Sequence, residues 1–222
     1  MCIRDSLIPC LHDGPYAYLR RLREILARLR AVLFHTPAEL ALARRLAGDG
    51  GGAFYLVGEG VNTAITGIAE RFRRKYGMDD PFLLSVGRKA KEKNTPILVE
   101  YFAKYRFAHP DSRLRLLLVG GGHVKIPNRL LGHILDLAYL PSQDTYDAMA
   151  VAVALCQPSL RESFSLVLME AWLCGTSVLV HADCPVTLEH CLEANGGLAF
   201  SDYFEFAEAV DLLLADPGPG GA

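Results

Sequence analysis

The 222-residue chain is 51% hydrophobic and 22% charged, enough apolar side chain to fill a core and too much for a disordered segment. Its formal charge of −2 is unevenly spread: residues 1–78 hold twelve Lys/Arg against seven Asp/Glu, and residues 79–222 eleven against eighteen. That asymmetry points to two lobes facing different partners. No dense basic stripe with interleaved aromatics argues for nucleic acid, no apolar run reaches the ~18 residues of a membrane span, and no signal peptide is legible, so the cytoplasm is the expected compartment.

The first six residues, Met1 to Ser6, resemble the translation of a sequencing-library adapter and are set aside, which places the natural start upstream of Leu7. Leu7–Leu11 reads as a buried strand ending at His12-Asp13-Gly14-Pro15. Tyr18 to Arg30 reads as a helix, with Leu19, Leu22, Ile25, Leu26 and Leu29 on one stripe. Arg20, Arg21, Arg23, Arg28 and Arg30 lie opposite, either as a solvated face or as a contact for an anionic membrane surface or lipid-linked acceptor. Ala31–Phe34 is a strand; Thr36 caps a helix that Pro37 opens and that runs to about Leu46. After the loop Gly48–Gly52, Ala53–Val57 is a strand, and the polar stretch over 66–80 reads as a linker.

From Pro81 strands and helices alternate. Strands are expected at Phe82–Val86, Leu114–Val119, Ile134–Leu140, Val153–Cys156, Ser177–His181 and Gly197–Phe200. Helices are expected at Pro96–Arg106, Asp144–Ala152, Phe164–Cys174 and Tyr203–Leu214. Strands with few polar positions, separated by helices, indicate a parallel sheet covered on both faces, the doubly wound α/β architecture, whose ligands bind outside the strands' carboxyl ends.

Two groups of residues carry chemistry. Gly87-Arg88 follows a strand and Lys93 precedes a helix; amides, helix dipole and cations then act together on a diphosphate. Surface cations near a helix start are the plainer alternative. Glu162 and Glu170 bracket the start of an apolar helix that Ser163 or Ser165 could cap, about 12 Å apart if helical rise applies throughout. Glu170 lies among Leu166, Val167, Leu168, Met169, Ala171 and Trp172, so its carboxylate needs a partner, either a ligand or a lysine or arginine of the chain.

The segment Glu162-x-Phe-Ser-Leu-x-x-x-Glu170-Ala, with Cys174-Gly-Thr after it, resembles the Glu-x7-Glu motif of glycosyltransferase family 4. Gly87-Arg88 with Lys93 resembles that family's diphosphate clamp, Val119-Gly120-Gly121-Gly122 its strand-and-glycine turn, and Gly196-Gly197-Leu198 its late glycine turn. Leu7–Asp13 resembles its acceptor-domain strand ending in a histidine. The resemblance runs from Leu7 to Pro217 and implies the GT-B fold: a remnant of the acceptor-binding domain over 7–65, a linker over 66–80 and a complete Rossmann-like nucleotide-sugar domain over 81–222.

By that resemblance the chain serves transfer of a hexosyl group, with retention, from a nucleotide-diphosphate sugar to a saccharide or lipid-linked acceptor in polysaccharide or glycoconjugate synthesis. It implies that Arg88 and Lys93 hold the diphosphate beside Gly87 and make a metal or other cofactor unnecessary. Glu162 and the amides of Phe164, Ser165 and Leu166 would meet the sugar, Glu170 the ribose hydroxyls, Tyr139 and Leu140 the base through main chain, and His12 the sugar from across the cleft. Without its upstream half the chain is expected to be inactive in transfer.

Three departures from the family pattern stand out: Ser165 and Asn94 occupy positions where glycine is usual, and Thr176-Ser177 replaces Thr-Pro. The alternatives are a GT-B sugar-nucleotide epimerase, a non-catalytic nucleotide-sugar-binding module and a NAD-binding Rossmann domain, the last disfavoured because Gly120-Gly121-Gly122 lacks the G-x-G-x-x-G spacing. The cysteines Cys2, Cys10, Cys156, Cys174, Cys184 and Cys191 show no metal spacing and read as free thiols. His35, His123, His181 and His190 read as surface or structural residues.

Overall fold

The computed structural model describes residues 16–26, 28–48 and 52–215, so the strand expected at Leu7–Leu11, His12 and the tail from Asp216 lie outside the described residues. The chain divides into two units, one of residues up to Gly60 with Arg161–Ser165, the other of Val61–Leu160 and the residues from Leu166 onward.

The first unit holds α1 (Tyr16–Leu26), β1 (Ala31–Phe34), α2 (Pro37–Ala47) and β2 (Ala53–Leu56). The strands pair in parallel, Ala31 opposite Ala53 and Phe34 opposite Leu56. α1 stops short of the expected Arg30, because Arg28 and Leu29 donate to the carbonyls of Ile25 and Leu26 in tighter i→i−3 turns. α2 starts where the sequence predicts: the Thr36 hydroxyl accepts from the Glu39 amide at 3.2 Å, and Pro37 fills the first turn. Glu39 sits at the capping-box position; burial pushes its carboxyl up, while the neighbouring amides of His35 and Thr36 pull it down. Val32 and Phe34 turn inward onto Leu22, Leu26, Ala43 and Ala47, as strand alternation demands.

The second unit opens with α3 (Ala69–Tyr76), followed by β3 (Phe82–Val86), α4 (Thr95–Ala108), β4 (Arg115–Val119), β5 (Ile134–Leu137) and α5 (Ser142–Met149). Then come β6 (Ala154–Gln157), α6 (Leu166–Leu173), β7 (Val178–His181), α7 (Pro185–Ala194), β8 (Gly197–Phe200) and α8 (Tyr203–Ala215). All six strands run parallel in the order β5-β4-β3-β6-β7-β8. The apolar strand runs are explained by burial on both faces. Leu83, Leu116, Leu118 and Cys156 pack with Leu98 and Phe102 of α4 and Phe206 and Val210 of α8. Their strand neighbours Leu84, Leu117, Val119 and Leu155 pack the other way, on Ala148 and Met149 of α5, Leu168 and Ala171 of α6 and Phe72 of α3. Fully burying each such side chain is worth about 1.5–3 kcal/mol.

Residues 69–76, inside the stretch expected to be a linker, form α3 and are held against α5. Asp147 accepts from the Ile68 amide at 2.9 Å and from the Arg71 guanidinium, and Asp144 accepts from Lys75 and the Tyr76 hydroxyl at 2.7 Å each. α7 was not foreseen at all. Its start at Cys184 carries no side-chain cap and is followed by the weak helix formers Val186 and Thr187, although Leu188, Glu189, Leu192, Glu193 and Ala194 favour the helix, which ends on Asn195 in the left-handed region.

Candidate functional site

β3 and β6 are neighbours at the centre of the sheet, yet from β3 the chain winds toward β4 and β5 and from β6 toward β7 and β8. Loops that diverge in this way leave a crevice at the strands' carboxyl ends, the place where such sheets bind ligands. The loop after β3 carries Gly87, Arg88 and Lys93. The segment after β6 carries Glu162, Phe164 and Ser165 and leads into α6, which begins at Leu166 and includes Glu170.

The β3 loop is laid along the glycine turn that follows β4. Gly87 donates its amide to the Val119 carbonyl at 2.9 Å and Lys89 donates to Gly121 at 2.7 Å. A Cβ on Gly120 would overlap the Gly87 carbonyl, and one on Gly122 would lie 2.5 Å from the Lys89 carbonyl oxygen. Gly120 and Gly122, at φ 130° and 89°, are therefore required both by backbone conformation and by close approach. Arg88 is exposed and has no acidic partner among the described residues. Lys93 closes a 3₁₀ turn, Lys91–Lys93, just before α4 and is half-buried.

β5 ends at Leu137, so Tyr139 and Leu140 belong to the loop beyond the strand rather than to it. The Tyr139 ring is 81% exposed, and its hydroxyl lies 2.6 Å from where a Gly121 Cβ would stand.

α6 begins at Leu166, two residues later than expected, and Ser165 before it takes φ 70°, not the extended backbone of an N-cap. Glu162 therefore lies in irregular chain, buried, and the 12 Å separation based on helical rise does not apply to the pair. Asn94 is left-handed too, at φ 55°. Both residues that stand in for a usual glycine thus adopt the backbone glycine favours.

Glu170 is half-buried, and burial pushes its carboxyl up. Among the described residues no lysine or arginine pairs with it. Its electrostatic neighbours are the Tyr146 phenol and the Cys174 thiol, the latter pushed up to about 11 by burial first and Glu170 second. Of the two partners expected for this carboxylate, the cation of the chain is not found among the described residues. The helix is held by Trp172, whose indole donates to the Gly196 carbonyl at 2.9 Å; a Cβ on Gly196 would overlap that ring.

Sequence reasoning passed over Lys89, Asp136 and Trp172. Asp136 had a signal, a lone charge inside Ile134–Leu137; Lys89, in a run of cations, had none. The described cysteines Cys156, Cys174, Cys184 and Cys191 are free. His35 contacts the Gly58 carbonyl at 2.9 Å and Glu59 at 2.8 Å, and His181 is buried with Nδ1 accepting from the Asp183 amide at 3.1 Å, both structural roles. A cleft of about 290 Å³ lies at the other edge of the sheet, where Pro81 and Val153 lead into β3 and β6. Among the described residues no helix is long and apolar enough to cross a membrane.

The winding of this sheet about β3 and β6, and the loops at its carboxyl edge, put the second unit among Rossmann-like nucleotide-binding domains of the GT-B type. Residues 68–219 match the family described as glycosyl transferases group 1, and the chain belongs to that family. It is 33% identical over 183 residues to a D-inositol 3-phosphate glycosyltransferase of Acidothermus cellulolyticus, covering 73% of this chain and 40% of that protein. A counterpart from Corynebacterium aurimucosum is 30% identical over 67% of the chain and 39% of its own length. The chain thus spans about two fifths of the curated relatives it matches. Among solved structures it is similar to a sucrose-phosphate synthase from Thermosynechococcus elongatus, with a TM-score of 0.73, 25% identity and coverage of 92% of this chain and 54% of that one. It shares its fold with the Anabaena protein HepE solved with UDP-glucose, at TM-score 0.72 and 18% identity, covering 90% and 58%.

Proposed function

We propose that this chain supplies the donor-binding part of a retaining hexosyltransferase that takes its sugar from a nucleoside diphosphate. The observation that carries this reading is charge that, among the described residues, finds no partner at one edge of the sheet: an exposed Arg88 without an acidic partner after β3, and a half-buried Glu170 without a cation in the helix after the adjacent β6. A half-buried carboxylate is costly unless something hydrogen-bonds to it, and a ribose diol offers two donors to its two oxygens. Arg88 and Lys93 hold the diphosphate beside Gly87 and stabilise the charge that develops on it as it leaves, in place of a metal. Glu162 and the amides of Phe164, Ser165 and Leu166 meet the hexose, and the main chain of Tyr139 and Leu140 lies by the base.

In the reaction the bond from the anomeric carbon to the diphosphate oxygen breaks and its electron pair leaves with the diphosphate. The acceptor hydroxyl bonds to the same face of the anomeric carbon through an oxocarbenium-like transition state, and its proton passes to the departing phosphate. A structural neighbour solved with UDP-glucose makes a UDP-hexose the first donor to try. The acceptor is a saccharide or another, lipid-linked molecule, and the enzyme works in the cytoplasm or at the inner face of the membrane.

Because the chain spans about two fifths of its relatives, we expect nucleotide binding without turnover from these 222 residues. Alignment of an acceptor with the anomeric carbon draws on residues that the relatives carry elsewhere. Titration calorimetry with UDP, GDP and ADP tests the proposal. Saturable binding of one of them, weakened by Arg88→Ala, is expected; binding of none, or acceptor-dependent release of nucleoside diphosphate by this chain, contradicts it.

A further inference from the structure

Arg88 and Lys89 are consecutive residues with opposite fates. Arg88 is exposed, whereas the Lys89 side chain is only 5% exposed. Lys89 turns inward and passes the β4 turn to reach β5, where its ammonium pairs with Asp136 and donates to the Leu137 carbonyl at 2.7 Å. β3 and β5 are not neighbours, since β4 lies between them. With the Lys89 amide bound to Gly121, this one residue ties together the carboxyl ends of three strands.

Its charge is engaged by Asp136, so it is not offered to a phosphate. Arg88, with no partner of its own among the described residues, takes its position from the backbone on either side. That backbone is fixed by Gly87 on Val119 before it and by Lys89 after it. A cation that must meet a diphosphate tolerates little misplacement. We propose that Lys89, through Asp136 and the Leu137 carbonyl, is a positioning residue that sets Arg88 for the diphosphate of the donor. This rests on the donor-binding function proposed above.

The test measures the affinity of the 222-residue chain for UDP and for UMP by calorimetry, with the guanine or adenine pair used instead if the chain prefers that base. Lys89→Met is expected to weaken the diphosphate about tenfold, the low end of the range known for partners that orient a metal ligand, and to leave the monophosphate within about twofold. In the Arg88→Ala background the same substitution should add nothing, because a residue that acts through Arg88 has no effect once Arg88 is gone. Should Lys89→Met leave an unpaired buried Asp136 and fail to fold, Lys89→Met with Asp136→Leu removes both charges at once and must show the same selective loss. Equal losses of UDP and UMP, or an undiminished effect of Lys89→Met without Arg88, would overturn the inference while leaving the donor-binding function intact. Failure of the unaltered chain to bind any of the three diphosphates would sink both.

Discussion

Ser165 holds φ 70° immediately before α6, at a position where the family usually has glycine. A residue bearing a Cβ is disfavoured there by roughly 1–2 kcal/mol. Glycine avoids that cost but loses about 0.5–1 kcal/mol more chain entropy on folding. At the midpoints of these ranges the balance leaves glycine ahead of alanine by about 0.75 kcal/mol at this site. Ser165→Gly and Ser165→Ala both remove the hydroxyl, so the difference between them isolates the backbone term. In a chain of this length 1 kcal/mol moves the melting temperature by about 2–4 °C, so the glycine variant should melt about 1–4 °C above the alanine variant in circular-dichroism scans. The same comparison at Asn94, φ 55°, should run in the same direction, although asparagine itself tolerates the left-handed region better than serine. If Ser165→Ala melts at or above Ser165→Gly, the segment before α6 does not have the backbone described, and the amides assigned to the sugar are misassigned with it.

Glu170→Gln should weaken nucleoside diphosphate binding by about 1–3 kcal/mol, the range for a hydrogen bond to a charged group, yet raise the melting temperature of the unliganded chain near neutral pH. The sign follows from its raised carboxyl: Glu170 favours the fold below the ordinary carboxylate range, and that contribution is lost as pH rises through its native value. The stabilisation by glutamine should therefore shrink toward pH 4, and melts across pH that show no such trend would contradict it. Asp147 behaves oppositely. Pairing with Arg71 holds its carboxyl below the usual range, so its contribution is present above that range and falls away as pH drops through the lowered native value. Asp147→Leu also strands the Ile68 amide and should destabilise the second unit by about 1–3 kcal/mol in urea titrations, with α3 released to proteolysis. An α3 as protected as before would show that Asp147 does not hold it.

Local sequence determined the strands of the second unit. Leu114–Val119 and Ser177–His181 each came within a residue of the observed element, because a strand covered on both faces admits few polar residues and is bounded by turn residues. The cap at Thr36 was legible for the same reason, since Thr36, Pro37 and Glu39 are close in sequence, whereas the glycines at 120 and 122 are required by the Gly87 and Lys89 carbonyls more than thirty residues earlier. Elements whose start was unmarked or whose hold was distant were not legible. α7 opens on Val186 and Thr187 after Cys184, which makes no side-chain cap, so its start is unmarked although Leu188, Glu189, Leu192, Glu193 and Ala194 favour a helix, and α3 looked like a linker because the aspartates that neutralise its cations lie about seventy residues further on, Asp147 76 positions beyond Arg71 and Asp144 69 beyond Lys75. The start of α6 was misplaced because Ser165 adopts a backbone that its residue type does not advertise. Tertiary structure alone decided which charges found partners. Lys89 and Arg88 are adjacent cations in the sequence, and only the order of the sheet, which brings Asp136 within reach of Lys89 across 47 residues, makes one of them structural. Among the described residues the same order put no cation beside Glu170. A charge's partner is set by packing between elements far apart in the chain, and neither the period nor the propensity of a segment records it.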